Sequence, residues 1–335
     1  MLHVDHDITA RWMKMNRANR FISAMVLLAA LVINGHAEDK NEASIGYSEA
    51  GTLYLFSDSG QLLRTIKTTQ PIRDFAVAPD ANQIVFSVAD ASIHGGPLYL
   101  LNASTGAVKL LTRHSKTNYK VYADPEFSPD GSSIVLAMHG SAHGDLVEAS
   151  GPIGILLPET GQVSQIAATT NVDGYGPAYA NSPHWSPNGS SVLFNFEIGA
   201  AIVDIRNQKL RDLTSLMEEG ADNEWSNAVG WFGPKCVVYI AGKDQEDANR
   251  KPAHVLNLES GKTTSAAELL GVKDEKTIGL IAFSPRLWIR SAGNKFIAVS
   301  KNSGWDIPIK SRQNVFIRII PLFVQPDATL PEACQ

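Results

Sequence analysis

DPEFSPDGSSIVLAM, residues 124 to 138, reads as a short apolar strand, a tight turn and a second apolar strand. Pro129 sets the backbone angle needed at the second position of a type I turn, Asp130 follows it, and Gly131 accepts the left-handed conformation that closes a hairpin. SPHWSPNGSSVLFNF (182 to 196) repeats this chemistry around Pro187. Looser copies follow the same order: DFAVAPDANQIVFSV (74 to 88), VGWFGPKCVVYIAG (229 to 242) and GLIAFSPRLWIRSAGNKFIAVS (279 to 300). The turn prolines Pro79, Pro129, Pro187, Pro234 and Pro285 are spaced by 50, 58, 47 and 51 residues. Recurrence at that interval is the signature of a repeat architecture.

A second hairpin lies between successive copies, at 52 to 66, 97 to 112, 153 to 167, 200 to 214 and 253 to 267, each with a polar and usually glycine-containing turn. Four short strands in about 50 residues describe the blade of a β-propeller. The first unit begins at its second strand (ASIGYSE, then TLYLF), and the final unit supplies a strand at NVFIRII, 314 to 320, with a further short one expected at LFV, 322 to 324. The expectation is therefore an all-β propeller of six four-stranded blades, with the C-terminus closing the ring. The APD, SPDG and SPNG units resemble the Pro-Asp-Gly (WD40-like) repeats of the TolB-like propeller family over about residues 44 to 325. That resemblance implies a propeller-only member without the additional α/β domain of TolB. No GxSxG nucleophile turn marks a peptidase of the kind that carries such propellers.

Composition agrees with a globular chain: 335 residues, 44% hydrophobic and 19% charged. The net charge is -5 and no basic block interrupts the sequence, which argues against a nucleic-acid partner. Arg11, Lys14, Arg17 and Arg20 precede an apolar run from Phe21 to Ile33 and the small-residue site Gly35-His36-Ala37. This pattern reads as a secretory signal peptide within residues 1 to 37, with extra residues before Met13 and cleavage near Ala37. The run is too short for a spanning helix, and no later stretch qualifies. Residues 38 to 335 then form one domain, exported to the periplasm or the medium. Cys236 lies in the apolar run CVVYI and Cys334 near the end. Two arrangements stand: a buried small hydrophobe with a free terminal thiol, which the apolar setting favours, or a disulfide that pins the tail.

Candidate chemistry falls on the loops after second strands, the links between blades and the innermost strands. Glu126 and His184 hold equivalent positions in adjacent repeats, and polar groups there line the channel, where they bond to backbone. Glu126, His139, His143 and His184 are also the set from which a divalent metal site would be built, although no HExxH motif is present and no cofactor is expected. Tyr119, Tyr122, Tyr175, Tyr179, Trp225 and Trp305 are assigned to the rim, with Tyr175, Trp225 and Trp305 as anchors for a partner. Ser215 to Glu218 reads as a capping box opening one helical turn. The functional expectation is a binding or scaffold module for a protein or cell-envelope component. The alternative is a metal- or carboxylate-dependent enzyme acting on a carbohydrate or peptide at the channel.

Overall fold

The computed structural model describes residues 45–49, 51–68, 72–88, 96–112, 119–140, 152–167, 180–196, 199–218, 225–242, 253–266, 268, 279–283, 287–292, 295–300, 304–309, 316–319 and 332–334. Within them, six antiparallel sheets of four strands each form the blades. The first blade contains β1 (Ile45–Glu49), β2 (Thr52–Phe56) and β3 (Leu62–Lys67). The second runs through β4 (Ile72–Val77), β5 (Gln83–Val88), β6 (Leu98–Asn102) and β7 (Val108–Leu110). In the third are β8 (Tyr119–Phe127), β9 (Ile134–Gly140), β10 (Ile153–Leu157) and β11 (Gln162–Ala167). The fourth has β12 (Asn181–Trp185), β13 (Ser191–Phe196), β14 (Gly199–Asp204) and β15 (Leu210–Asp212), then the helical turn α1 (Thr214–Glu218). The fifth has β16 (Trp225–Trp231), β17 (Cys236–Gly242), β18 (Ala253–Asn257) and β19 (Thr263–Ser265). The sixth has β20 (Gly279–Phe283), β21 (Leu287–Ala292), β22 (Lys295–Ser300) and β23 (Gly304–Asp306).

The last strand, β24 (Phe316–Ile319), leaves the sixth blade and pairs antiparallel with β1 as the innermost strand of the first. Neighbouring innermost strands then lie against one another around the whole ring, with β24 against both β4 and β20. The C-terminal closure expected from the sequence is therefore present. A strand at residues 322 to 324 and the signal segment lie outside the described residues. Among those residues, no helix is long and apolar enough to cross a membrane.

The hairpin turns follow the proline chemistry. In the third blade, Gly131 N donates to Ser128 O at 2.8 Å, and Asp130 Oδ1 accepts from Ser128 Oγ, Ser132 N and Ser132 Oγ. The Ser128 hydroxyl and then the Ser132 groups hold the Asp130 carboxyl below its ordinary value. Asn188 makes the same bonds to Ser186 Oγ, Ser190 N and Ser190 Oγ in the fourth blade.

The core lies between blades rather than inside one. Ile84 and Phe86 of β5 pack with Leu53 and Leu55 of the first blade, while Val85 between them packs with Phe127 and Ile134 of the third. Successive side chains on a strand point to opposite faces, so a second strand buried on both faces is apolar along most of its length, with Ser87 on β5 and Asn195 on β13 as buried polar exceptions. Each such Phe, Leu or Ile, fully removed from water, contributes about 1.5–3 kcal/mol.

Two expectations are corrected here. Cys236 and Cys334 form a disulfide, with Cα atoms 5.2 Å apart, so the free-thiol arrangement is not the one adopted. The 3-10 turn Glu332–Cys334 is thereby fastened to the first residue of β17. Ser215 does not open α1, which already begins at Thr214, whose amide donates to Asp212 Oδ1 at 2.8 Å. The carboxylate supplies the cap because it precedes the first helical amide.

Candidate functional site: the channel lining

Register against the second strands identifies one equivalent position on every innermost strand. It is held by Arg318 opposite Gly46, Ala76 opposite Val85 and Glu126 opposite Val135. Around the rest of the ring it is held by His184 opposite Leu193, Gly230 opposite Val238 and Ala282 opposite Ile289. In the third to sixth blades a register shift falls immediately before this position, between Ala123 and Glu126 and between Asn181 and His184, for example, whereas in the second blade it falls earlier, between Ile72 and Asp74. A bulge leaves one amide out of the ladder and re-aims it. In the third and fourth blades the freed amides of Asp124 and Ser182 turn toward the preceding blade.

The acceptors on the preceding blade are side chains. Asp74 Oδ2 accepts from Asp124 N at 2.8 Å, and Asp124 Oδ2 accepts from Ser182 N at 3.0 Å. Asp74, Asp124 and Ser182 each stand five residues before their turn proline, so one interaction is repeated from blade to blade. Asp124 and Ser182 adopt φ of 49° and 47°, a left-handed conformation that costs about 1–3 kcal/mol in a non-glycine residue. Charge-assisted bonds to the strained amides offset that cost. Ser182 is too short to continue the series, and Asn195 of β13 takes over. Its Oδ1 accepts from Ala228 N at 2.7 Å and its Nδ2 donates to Ala228 O at 2.9 Å.

Arg318 closes this belt. Its Nε donates to Asp74 Oδ1 at 3.0 Å, and its Nη2 donates to Asp74 Oδ2 and to Asp124 Oδ1, both at 2.8 Å. One guanidinium from the C-terminal strand thus bridges the first, second and third blades, and Ala76 between them is small enough to let it pass. Burial pushes the Asp74 carboxyl above its ordinary value, Arg318 pulls it down, and Asp124 adds to the rise. Burial alone would lower the Arg318 guanidinium, but the two carboxylates outweigh it and hold the charge.

Glu126 and His184 form the neighbouring link. Glu126 Oε2 meets His184 Nδ1 at 2.8 Å, and Glu126 Oε1 accepts from Trp185 N at 2.8 Å. The indoles repeat a further bond: Trp185 Nε1 donates to Glu126 O at 3.2 Å, and Trp231 Nε1 donates to His184 O at 3.1 Å. The described polar wall thus runs from Arg318 to His184, whereas the fifth and sixth blades present Gly230 and Ala282 at the same level.

Of the sequence candidates, Glu126 and His184 are brought together. His139 lies near the end of β9, but its side chain and all of His143 are outside the described residues. Among the described residues, no three His, Cys, Asp or Glu side chains converge on a point that could hold a metal ion. Trp225 begins β16 at the link end of the blade, with its side chain outside the described residues, as is all of Tyr175. Tyr122 is not a rim residue: it belongs to the innermost strand β8, is buried, and joins the core between the second and third blades.

Trp305 is also displaced from the expected rim. The segment GWD is a fourth strand rather than a loop, and Trp305 stands on it near the end that carries the proline turns. Its Nε1 donates to Asp58 O at 3.2 Å, and its ring lies 5.4 Å from that of Phe56. A Cβ at Gly60 would approach the indole to 2.7 Å, so the glycine makes room for the ring. Trp305 therefore joins the sixth blade to the first. Asp74, Asp124, Asn195 and Arg318 were not among the sequence candidates. The aspartates had a usable signal in their shared offset from the turn prolines, but Arg318 lies on the one innermost strand outside the repeat.

These features define a six-bladed β-propeller whose innermost strands are stitched to one another by side chains. No family model and no curated protein matches the sequence. Among solved structures the chain is similar to TolB from Acinetobacter baumannii, with a TM-score of 0.53 and 17% identity over 81% of this chain and 65% of that one. It is also similar to a putative TolB from Agrobacterium tumefaciens, with a TM-score of 0.50 and 11% identity over 79% and 87% of the two chains. The chain thus spans slightly less than two thirds of the Acinetobacter protein, and the fold is that of a TolB-like propeller.

Proposed function

We propose that this protein is an exported binding or scaffold module that engages a protein or cell-envelope component through the rim carrying the blade links. The observation that carries this reading is how the channel groups are used. Asp74, Asp124, Glu126, His184 and Arg318 are bonded to one another and to the backbone of neighbouring blades. Their chemistry maintains the ring, so recognition falls to the loops at the link end, where Tyr175 and Trp225 are the proposed anchors. Large aromatic side chains at such positions supply most of the binding energy of an interface. The apolar run before Ala37 supports export, and the likeness in fold to TolB proteins fits a scaffold role.

The test is photocrosslinking from the full chain, with the reactive group placed at Tyr175, at Trp225 or, as a control at the opposite end, at exposed Leu62. One discrete envelope adduct from Tyr175 and Trp225, absent from Leu62, is the expected result. Equal labelling from all three positions, or none, refutes the reading. Metal analysis of protein purified without chelator provides a separate check. About one metal per chain, lost on His139→Ala or His184→Ala, would move the function to the channel as a metal-dependent enzyme.

A further inference from the structure

We infer that closure of the ring is under redox control: oxidation of Cys236 and Cys334 commits β24 to its seat, and in the reduced chain β24 leaves it. Five of the six innermost strands continue directly into their own second strand through a hairpin, and only β24 comes from the far end of the chain. It is four residues long and pairs with β1 alone. Ile317, Arg318 and Ile319 are all half-buried, whereas Phe75, Ala76 and Val77 of the equivalent strand β4 are buried. The seat is otherwise well specified, because without Arg318 the buried Asp74 carboxylate loses its cation. β24 is thus a short strand with one strong anchor and no hairpin to hold it.

The disulfide changes what departure of that strand means. It encloses the whole sixth blade and β24 in a covalent loop spanning 98 residues, fastened to the fifth blade. With the bond formed, β24 can leave only as part of a chain tethered on both sides. Without it, everything after β23 is a free end, and the entropy gained on release is correspondingly larger. Both cysteines are buried, at 0% and 3% exposure, so a reductant reaches them only after the tail has moved. The bond therefore acts as a commitment made after β24 has docked. A chain synthesised in a reducing compartment lacks this lock and acquires it in an oxidising one. That last step rests on the export reading, whereas redox control of closure does not.

The experiment compares amide hydrogen exchange in the oxidised full chain, the same chain refolded under reductant, and Cys334→Ser. Exchange should rise by about tenfold or more in Phe316–Ile319 and in its partner Ile45–Glu49 in both bond-free forms, while Ile134–Gly140 and Ser191–Phe196 keep their rates. Trypsin should cut after Arg318 in the bond-free forms and spare it in the oxidised form. Unchanged exchange at the β1–β24 pair overturns the inference. So does an even loss of protection in all six blades, or failure of both bond-free forms to fold, since either result makes the bond a general staple. A partner adduct that survives in Cys334→Ser would leave this inference to stand or fall on exchange alone, independent of the proposed function.

Discussion

Replacing Arg318 with Met tests whether the belt, and not backbone pairing alone, holds the ring together. The substitution keeps most of the apolar stem and removes the guanidinium, leaving two carboxylates side by side without their cation. Removing one partner of a buried ion pair costs about 3–5 kcal/mol. Asp74 is close to that limit at 7% side-chain exposure, but Arg318 and Asp124 retain 29% and 26%, so solvent takes up part of the loss. A destabilisation of about 3 kcal/mol at pH 7 is expected, read as a shift in urea midpoint at constant slope. Asp74→Asn with Arg318→Met should be less unstable than the sum of the two single variants, with a coupling of at least about 1 kcal/mol.

The pH dependence has a definite sign. Burial already raises the Asp74 carboxyl, and losing Arg318 removes the influence that opposes burial. A folded carboxyl raised above its unfolded value adds stability that is complete below the unfolded value and is lost as pH rises through the folded one. The deficit of Arg318→Met relative to wild type should therefore be largest near neutrality and shrink as the solution is acidified. A loss under about 0.5 kcal/mol at pH 7, or a deficit that widens in acid, refutes the assignment of Arg318 as the clasp of the belt.

Other outcomes follow from the turns and seams. Ala81 has φ of 55° where the third and fourth blades have Gly131 and Gly189, so Ala81→Gly should stabilise by about 0.5 kcal/mol and Gly131→Ala destabilise by about 1–2 kcal/mol, measured by denaturant midpoint. Burial first, then Tyr54 and Glu49, push the Tyr47 phenol up to about 12, and its hydroxyl donates to Pro308 O at 3.2 Å. Stability should accordingly fall between about pH 10, where the unfolded phenol ionises, and pH 12, and Tyr47→Phe should remove that part of the fall. Trp305→Ala should lower stability by about 1–2 kcal/mol through the seam with the first blade, without altering crosslinking from Trp225. Loss of the adduct in a folded Trp305→Ala protein would return that tryptophan to the interface.

The fold was legible because each blade restates it. Five proline turns at a common interval, each flanked by apolar strands, leave few other architectures, and the missing innermost strand of the first unit points to the C-terminus. Legibility ended where the repeat ended. GWD carries no alternation of polar and apolar residues, so its role as β23 comes from pairing with β22 and from Trp305 packing on Gly60. Cys236 in an apolar run is compatible with either a thiol or a bond, and only the placement of the tail decides between them. The link between Glu126 and His184 could be anticipated because both sit three residues before a turn proline.

Arg318 marks the deeper limit of sequence reading in this fold. In the other blades a lining residue is specified by its offset from its own turn, but β24 has no turn of its own and its register is fixed by β1. The strand that closes a ring by recruiting the far end of the chain has to be specified by something other than local sequence. Here a three-way match of one guanidinium to two carboxylates does so. A slip of β24 by one residue would point Arg318 to the opposite face, because side chains alternate along a strand. Asp74 would then be left buried without its cation. The belt thus selects the register in which the propeller closes, and this explains why charged groups are retained at the centre of a fold otherwise held by apolar seams.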